Sequence, residues 1–80
     1  MTKSEYLAKI KQEIFYAKRH FHALRQPVEV AESLIIKGFQ EEKINNPYTQ
    51  NGLRILSSYI TSGRIRTTIK LLQEAMKEND

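Results

Sequence analysis

The sequence predicts an all-α fold: a small antiparallel helical bundle of three to four helices, with residues 1–80 forming a single domain. Three observations carry this expectation. The 80 residues include only three Gly and two Pro, no stretch alternates apolar and polar residues in the manner of a strand, and the apolar residues recur at spacings of three and four. A chain of this length buries about 60 to 65% of the surface its unfolded form exposes, which provides one core but little room for a large enclosed active site.

Thr2-Lys3-Ser4-Glu5 has the spacing of a capping box, with the Thr2 hydroxyl accepting from the first turn while Glu5 reaches back. It opens an apolar series at Leu7, Ile10, Ile14, Ala17, Phe21 and Leu24. Helix 1 is therefore expected to run about six turns and to end near Gln26, because Pro27 disfavours helical geometry at the residue before it. With Leu7 as heptad position a, Lys11, Lys18 and Arg25 fall at successive e positions, where their stems cover apolar neighbours. Phe15 and Tyr16 lie off this stripe. The expectation is that other helices touch helix 1 on several sides; the alternative is that these aromatics mark an exposed dimer or partner contact.

Pro27 suits the first position of helix 2, whose buried stripe is Val28, Ala31, Ile35 and Phe39, and Ile44-Asn45-Asn46-Pro47 punctuates its end. Glu29 and Glu32 then fall in its first turns, where the helix dipole favours carboxylates, whereas Glu41 and Glu42 follow near its end and are expected in solvent. Helix 3 begins between Pro47 and Leu53, with Leu53, Leu56 and Ile60 inward. Helix 4 supplies Ile65, Ile69, Leu72 and Met76. A single rod through helices 3 and 4 would set the two stripes about 150° apart and lay Arg64 on the apolar face. A break near Gly63, between Thr61 and Ile65, removes both conflicts, although a continuous rod bridging two subunits would also use two opposed apolar faces.

The charge distribution is strongly polarised. Thirteen Lys and Arg against nine Asp and Glu give a net charge of +4, yet no Asp or Glu occurs from Lys43 to Gln73, a window that holds Lys43, Arg54, Arg64, Arg66 and Lys70. Such a window favours an anionic partner, either nucleic acid or an acidic protein surface. At its sharpest point, Ser62-Gly63-Arg64-Ile65-Arg66, two guanidinium groups sit where helix 4 begins. Cations at that end of a helix dipole cost about 0.3 to 1 kcal/mol each unless an anion is near. First-turn amides, the Ser62 hydroxyl, Arg64 and Arg66 are suitable donors to a phosphate or carboxylate. Arg66, Lys70, Gln73 and Lys77 recur along one side of helix 4, a line able to follow a nucleic-acid backbone. Arg54 adds a further phosphate contact, and Thr67 or Thr68 neutral hydrogen bonds. The competing reading is a solvated face whose cations pair with Glu74, Glu78 or the acids of helix 2. Helix 3, a turn at Thr61 to Gly63 and helix 4 also resemble a helix-turn-helix hairpin in outline, with Arg64, Arg66, Thr67 and Lys70 toward DNA.

Other chemistries find little support. The chain has no cysteine, so disulfides, thiolate metal sites and cysteine nucleophiles are excluded. His20 and His22, two apart, point to nearly opposite sides of a helix and do not chelate one ion by themselves. Ser57, Ser58 and Ser62 lack a His and an acid at suggestive spacing, and a lone Gly63 is no phosphate loop. No apolar run approaches the length of a membrane span, and the first residues do not begin an apolar signal segment, so the expected location is cytoplasmic. The function expected from sequence is a non-catalytic binding or regulatory protein, without cofactor or metal, whose basic face contacts nucleic-acid phosphates. Its alternative is a protein-binding inhibitor, adaptor or immunity-type bundle that docks on an acidic partner protein. A third is a homodimeric structural module, although a monomer is favoured.

Overall fold

The structure, a computed structural model, describes residues 1–60 and 63–79. It contains helices α1 (Lys3–His20), α2 (Arg25–Phe39), α3 (Pro47–Ser57) and α4 (Gly63–Glu78), with one 3-10 turn at His22–Leu24 between the first two. No strand occurs among the described residues. Close contacts set α1 antiparallel to α2 and to α4, and α2 antiparallel to α3. Lys18, late in α1, reaches Glu32 of α2 at 3.2 Å, while Lys3 donates to the Glu41 carbonyl beyond the other end of α2. Gly38, at the end of α2, lies against Thr49 at the start of α3. Arg64, at the start of α4, meets Glu13 of α1 at 3.1 Å.

The capping box forms as expected. The Thr2 amide donates to Glu5 Oε1 at 2.9 Å and the Glu5 amide to Thr2 Oγ1 at 3.2 Å. The Thr2 backbone bond, reinforced by its side chain, holds the Glu5 carboxyl below its ordinary range. α1 nevertheless ends at His20 rather than at Gln26, with Phe21 taking a non-helical conformation (φ −130°, ψ 76°). Lys18 and Arg19 lie in the last turn of α1, where cations complement the dipole, and the helix ends there well before the proline. Pro27 sits in the first turn of α2, two residues after Arg25, where its missing N–H leaves no intrahelical bond unmade.

This early break changes several side-chain assignments. Phe21, placed in the apolar series, is 41% exposed, and Leu24 is only half-buried. Arg25 belongs to α2, where it pairs with Glu29 at 3.1 Å. Glu29 and Glu32 are not merely dipole-stabilised carboxylates, since Lys18 reaches across from α1 to both. α2 stops at Phe39, and the residues after it turn back so that Ile44 is fully buried. Burying that side chain contributes about 1.5 to 3 kcal/mol, which anchors a connection with no helix of its own. Asn46 then starts α3: its Oδ1 accepts from the Thr49 amide at 3.2 Å, and its Nδ2 donates to the Gly38 carbonyl at 2.9 Å.

The apolar stripe does change face between α3 and α4, and the chain leaves helix to allow it. The break begins earlier than expected: α3 ends at Ser57, residues 58–60 form a turn, and Gly63 is already helical. Thr61 and Ser62 lie outside the described residues. Ile60, expected inward, falls in this turn and is 47% exposed.

The core is built from Ile10, Ile14 and Ala17 of α1, Val28, Ala31, Ile35 and Phe39 of α2, Leu56 of α3, and Ile65, Ile69, Leu72, Ala75 and Met76 of α4, with Ile44 between α2 and α3. Tyr6 is also in it. Burial, together with a hydrogen bond to the Glu78 carboxylate, pushes the Tyr6 phenol up from 10.0 to about 12. The neutral phenol is the form the fold holds, so its contribution is complete below pH 10 and is lost as pH rises toward 12. In denaturant titrations between pH 9 and 12, the wild-type chain is expected to lose more stability than Tyr6→Phe. Equal losses would contradict this role for Tyr6.

Candidate nucleic-acid interface

The residues singled out by sequence separate into two groups. Arg64 turns back onto α1, where its guanidinium donates to both carboxylate oxygens of Glu13 (3.1 and 3.3 Å) and lies 4.9 Å from the Tyr16 ring centroid. The anion beside Arg64 at the start of α4 is therefore a carboxylate of the same chain. The pair is partly exposed and contributes at most about 1 kcal/mol, so its main consequence is to fix where Arg64 points. Ser62, proposed as a donor at the same helix start, lies outside the described residues. Thr68 is buried and its hydroxyl donates to the Arg64 carbonyl at 2.8 Å, which removes it as a contact. The exposed Thr67 hydroxyl donates to the Gly63 carbonyl at 2.9 Å, leaving only its acceptor capacity for a partner.

Arg66 and Lys70 point the other way. At about 100° per residue, Arg66, Lys70, Gln73 and Lys77 lie within about 60° of one another, and all four are exposed. Their span along the axis is about 16 Å. The opposite side of α4, with Ile65, Thr68, Ile69, Leu72, Ala75 and Met76, is buried. Among the described residues no carboxylate pairs with Arg66, Lys70 or Lys77, and Arg66 Nε donates to the Ile60 carbonyl at 3.4 Å. Neither Glu74 nor Glu78 pairs with them; both flank the line on one side. Arg54 is exposed on α3, a separate element, and its carbonyl accepts from the Ser58 amide and hydroxyl at 3.2 Å.

The α4 line thus lies on an exposed face, while Arg64 of the helix start is turned onto Glu13. In the helix-turn-helix arrangement, Arg64, expected toward DNA, is instead held by Glu13. The sequence reading also missed Glu13 as the partner of Arg64, because residues 51 apart carry no periodic signal. Phe15, expected to be covered by other helices, is 51% exposed. Its ring meets Tyr16 edge-on, with centroids 5.8 Å apart at 68°, and Arg19 lies 5.7 Å from its centroid.

Among the described residues no group of three or more His, Asp or Glu side chains converges as a metal site, and no helix is long and apolar enough to cross a membrane. No family model, curated protein or solved structure matches the chain.

Proposed function

We propose that this chain is a non-catalytic binding module that holds nucleic acid by its phosphates along the outer face of α4. Arg66, Lys70 and Lys77 are the phosphate contacts and Gln73 is a neutral donor between them. The observation that supports this reading is the exposed line of three cations, lying without a carboxylate partner among the described residues. Lys18, Arg25 and Arg64, by contrast, each reach a carboxylate within 3.2 Å, whereas the exposed Lys11, Arg19 and Arg54 resemble the α4 cations in having no carboxylate partner among the described residues. Leaving three cations unpaired on one helix face costs self-repulsion that a row of phosphates relieves.

Fluorescence anisotropy of a labelled 20-mer at 50 mM salt tests the proposal. Each phosphate contact there is worth about one decade of affinity through counterion release, so Arg66→Glu with Lys70→Glu should weaken binding on the order of 100-fold or more. Both residues are exposed, and circular dichroism should show the same helix content in the variant. Absence of binding by the wild-type chain at 50 mM salt overturns the nucleic-acid reading. A complex with an acidic protein lost in the same variant would then assign the α4 face to a protein partner.

A further inference from the structure

We infer that the exposed column Lys11, Phe15 and Arg19 on α1 is a base-stacking contact, and that the nucleic acid held by α4 is single-stranded. This inference rests on the phosphate-binding reading of α4 and adds to it a second helix and a strand preference.

Phe15 stands outside the core although it is among the larger apolar side chains, and half of its surface remains in water. Its neighbours one turn away on either side, Lys11 and Arg19, are both exposed cations. The three are spaced four residues apart and share one helix face, at intervals of about 6 Å. Arg19 lies over the ring, and the edge-on contact with Tyr16 falls within the favoured range for aromatic pairs. Tyr16 is itself held by Arg64, which Glu13 clamps. The ring is thus mounted on a regular helix and braced by side chains with partners of their own, which limits the ordering cost of a stacked base.

Charge complementarity selects the occupant. Glu13, the acid nearest this column in sequence, is committed to Arg64, so Lys11 and Arg19 flank the ring with positive charge alone. The Tyr16–Arg64 contact joins the aromatic pair to the first turn of α4, on the side of that helix turned toward α1 rather than on the side of the basic line. An aromatic ring between cations is how sequence-tolerant single-strand binders hold an unpaired base and its backbone. In a duplex the base faces are covered by their stacked neighbours. A ring on a convex helix surface therefore reaches only bases that are unpaired.

The test compares three labelled probes at 50 mM salt: an oligothymidylate 20-mer, an abasic oligomer of the same length, and a 20-base-pair duplex. The wild-type chain should bind the oligothymidylate about 5- to 150-fold more tightly than the abasic oligomer. Phe15→Ala should remove most of that factor while leaving abasic binding unchanged. Phe15→Leu, which keeps apolar bulk without a π face, should lose the same factor, and Phe15→Trp should retain it. Equal binding to oligothymidylate and abasic oligomer, tighter binding to the duplex, or an affinity unaffected by Phe15→Leu would overturn the stacking contact and leave the α4 reading standing. Binding to none of the probes would overturn both. A dimer in light scattering that Phe15→Leu abolishes would overturn the inference by assigning the ring to a second copy of the chain.

Discussion

Gly38→Ala is expected to lower the thermal midpoint by about 10 °C or more. A Cβ at position 38 would collide with Thr49 Oγ1 and lie 2.9 Å from the Thr49 backbone nitrogen. The hydroxyl has some freedom to rotate, but the backbone amide has none: it is the donor in the Asn46 cap that starts α3. Relief therefore requires α2 and α3 to move apart, which also strains the bond from Asn46 Nδ2 to the Gly38 carbonyl. Overpacking of this kind costs about 1 to 3 kcal/mol or more, offset by about 0.5 to 1 kcal/mol from the better helix propensity of alanine. A net loss near 2 kcal/mol converts to the stated shift at about 4 to 8 °C per kcal/mol for a domain of this size. Gly63→Ala serves as the control, since a Cβ there meets nothing within 4 Å; its midpoint should be unchanged or slightly raised. Similar midpoints for the two variants, measured by circular dichroism, would contradict the close approach of α2 and α3.

That seam also shows where the sequence stopped being legible. The helical character, the capping box at Thr2, the core positions Ile10, Ile14, Ile35, Leu56, Ile65 and Leu72, and the need for a break before α4 all follow from periodicity and local chemistry, and the structure contains them. Gly38 and Gly52 lie inside helical patterns without any local signal of their role. Their need for a missing side chain arises only from what lies opposite: Thr49 for Gly38, and Ile35 with the Ala31 carbonyl for Gly52. Pro27 does not mark the end of α1: it lies in the first turn of α2, where a proline is compatible with helix on both sides of it. Ile44 read as punctuation because it follows no helical period, yet a loop residue can be pinned into a core just as firmly.

The candidate interface was legible in the same partial way. Spacing alone placed Arg66, Lys70, Gln73 and Lys77 on one face, and that face is exposed. The Glu13 partner of Arg64 was not legible, because the field at a helix start favours any anion, whatever its source. It calls for negative charge near the start of α4 and does not distinguish a phosphate from Glu13. Likewise, exposure of Phe15 was not fixed by its own helix, because whether a residue off the main stripe is covered depends on which neighbours arrive.

The central claim is that cations on the outer face of α4 neutralise phosphates, and the salt dependence of binding measures this directly. Three contacts contribute about 3 × 0.7 to the slope of log affinity against log salt on a single strand, or about 3 × 0.9 on a duplex. Affinities for the oligothymidylate 20-mer should be measured from 50 to 200 mM salt for the wild-type chain and for the variant combining Arg66→Gln, Lys70→Gln and Lys77→Gln. The account predicts that the variant binds more weakly and that its slope is shallower by about 2. A wild-type chain that does not bind at 50 mM salt, or two parallel lines with the same slope, would contradict it.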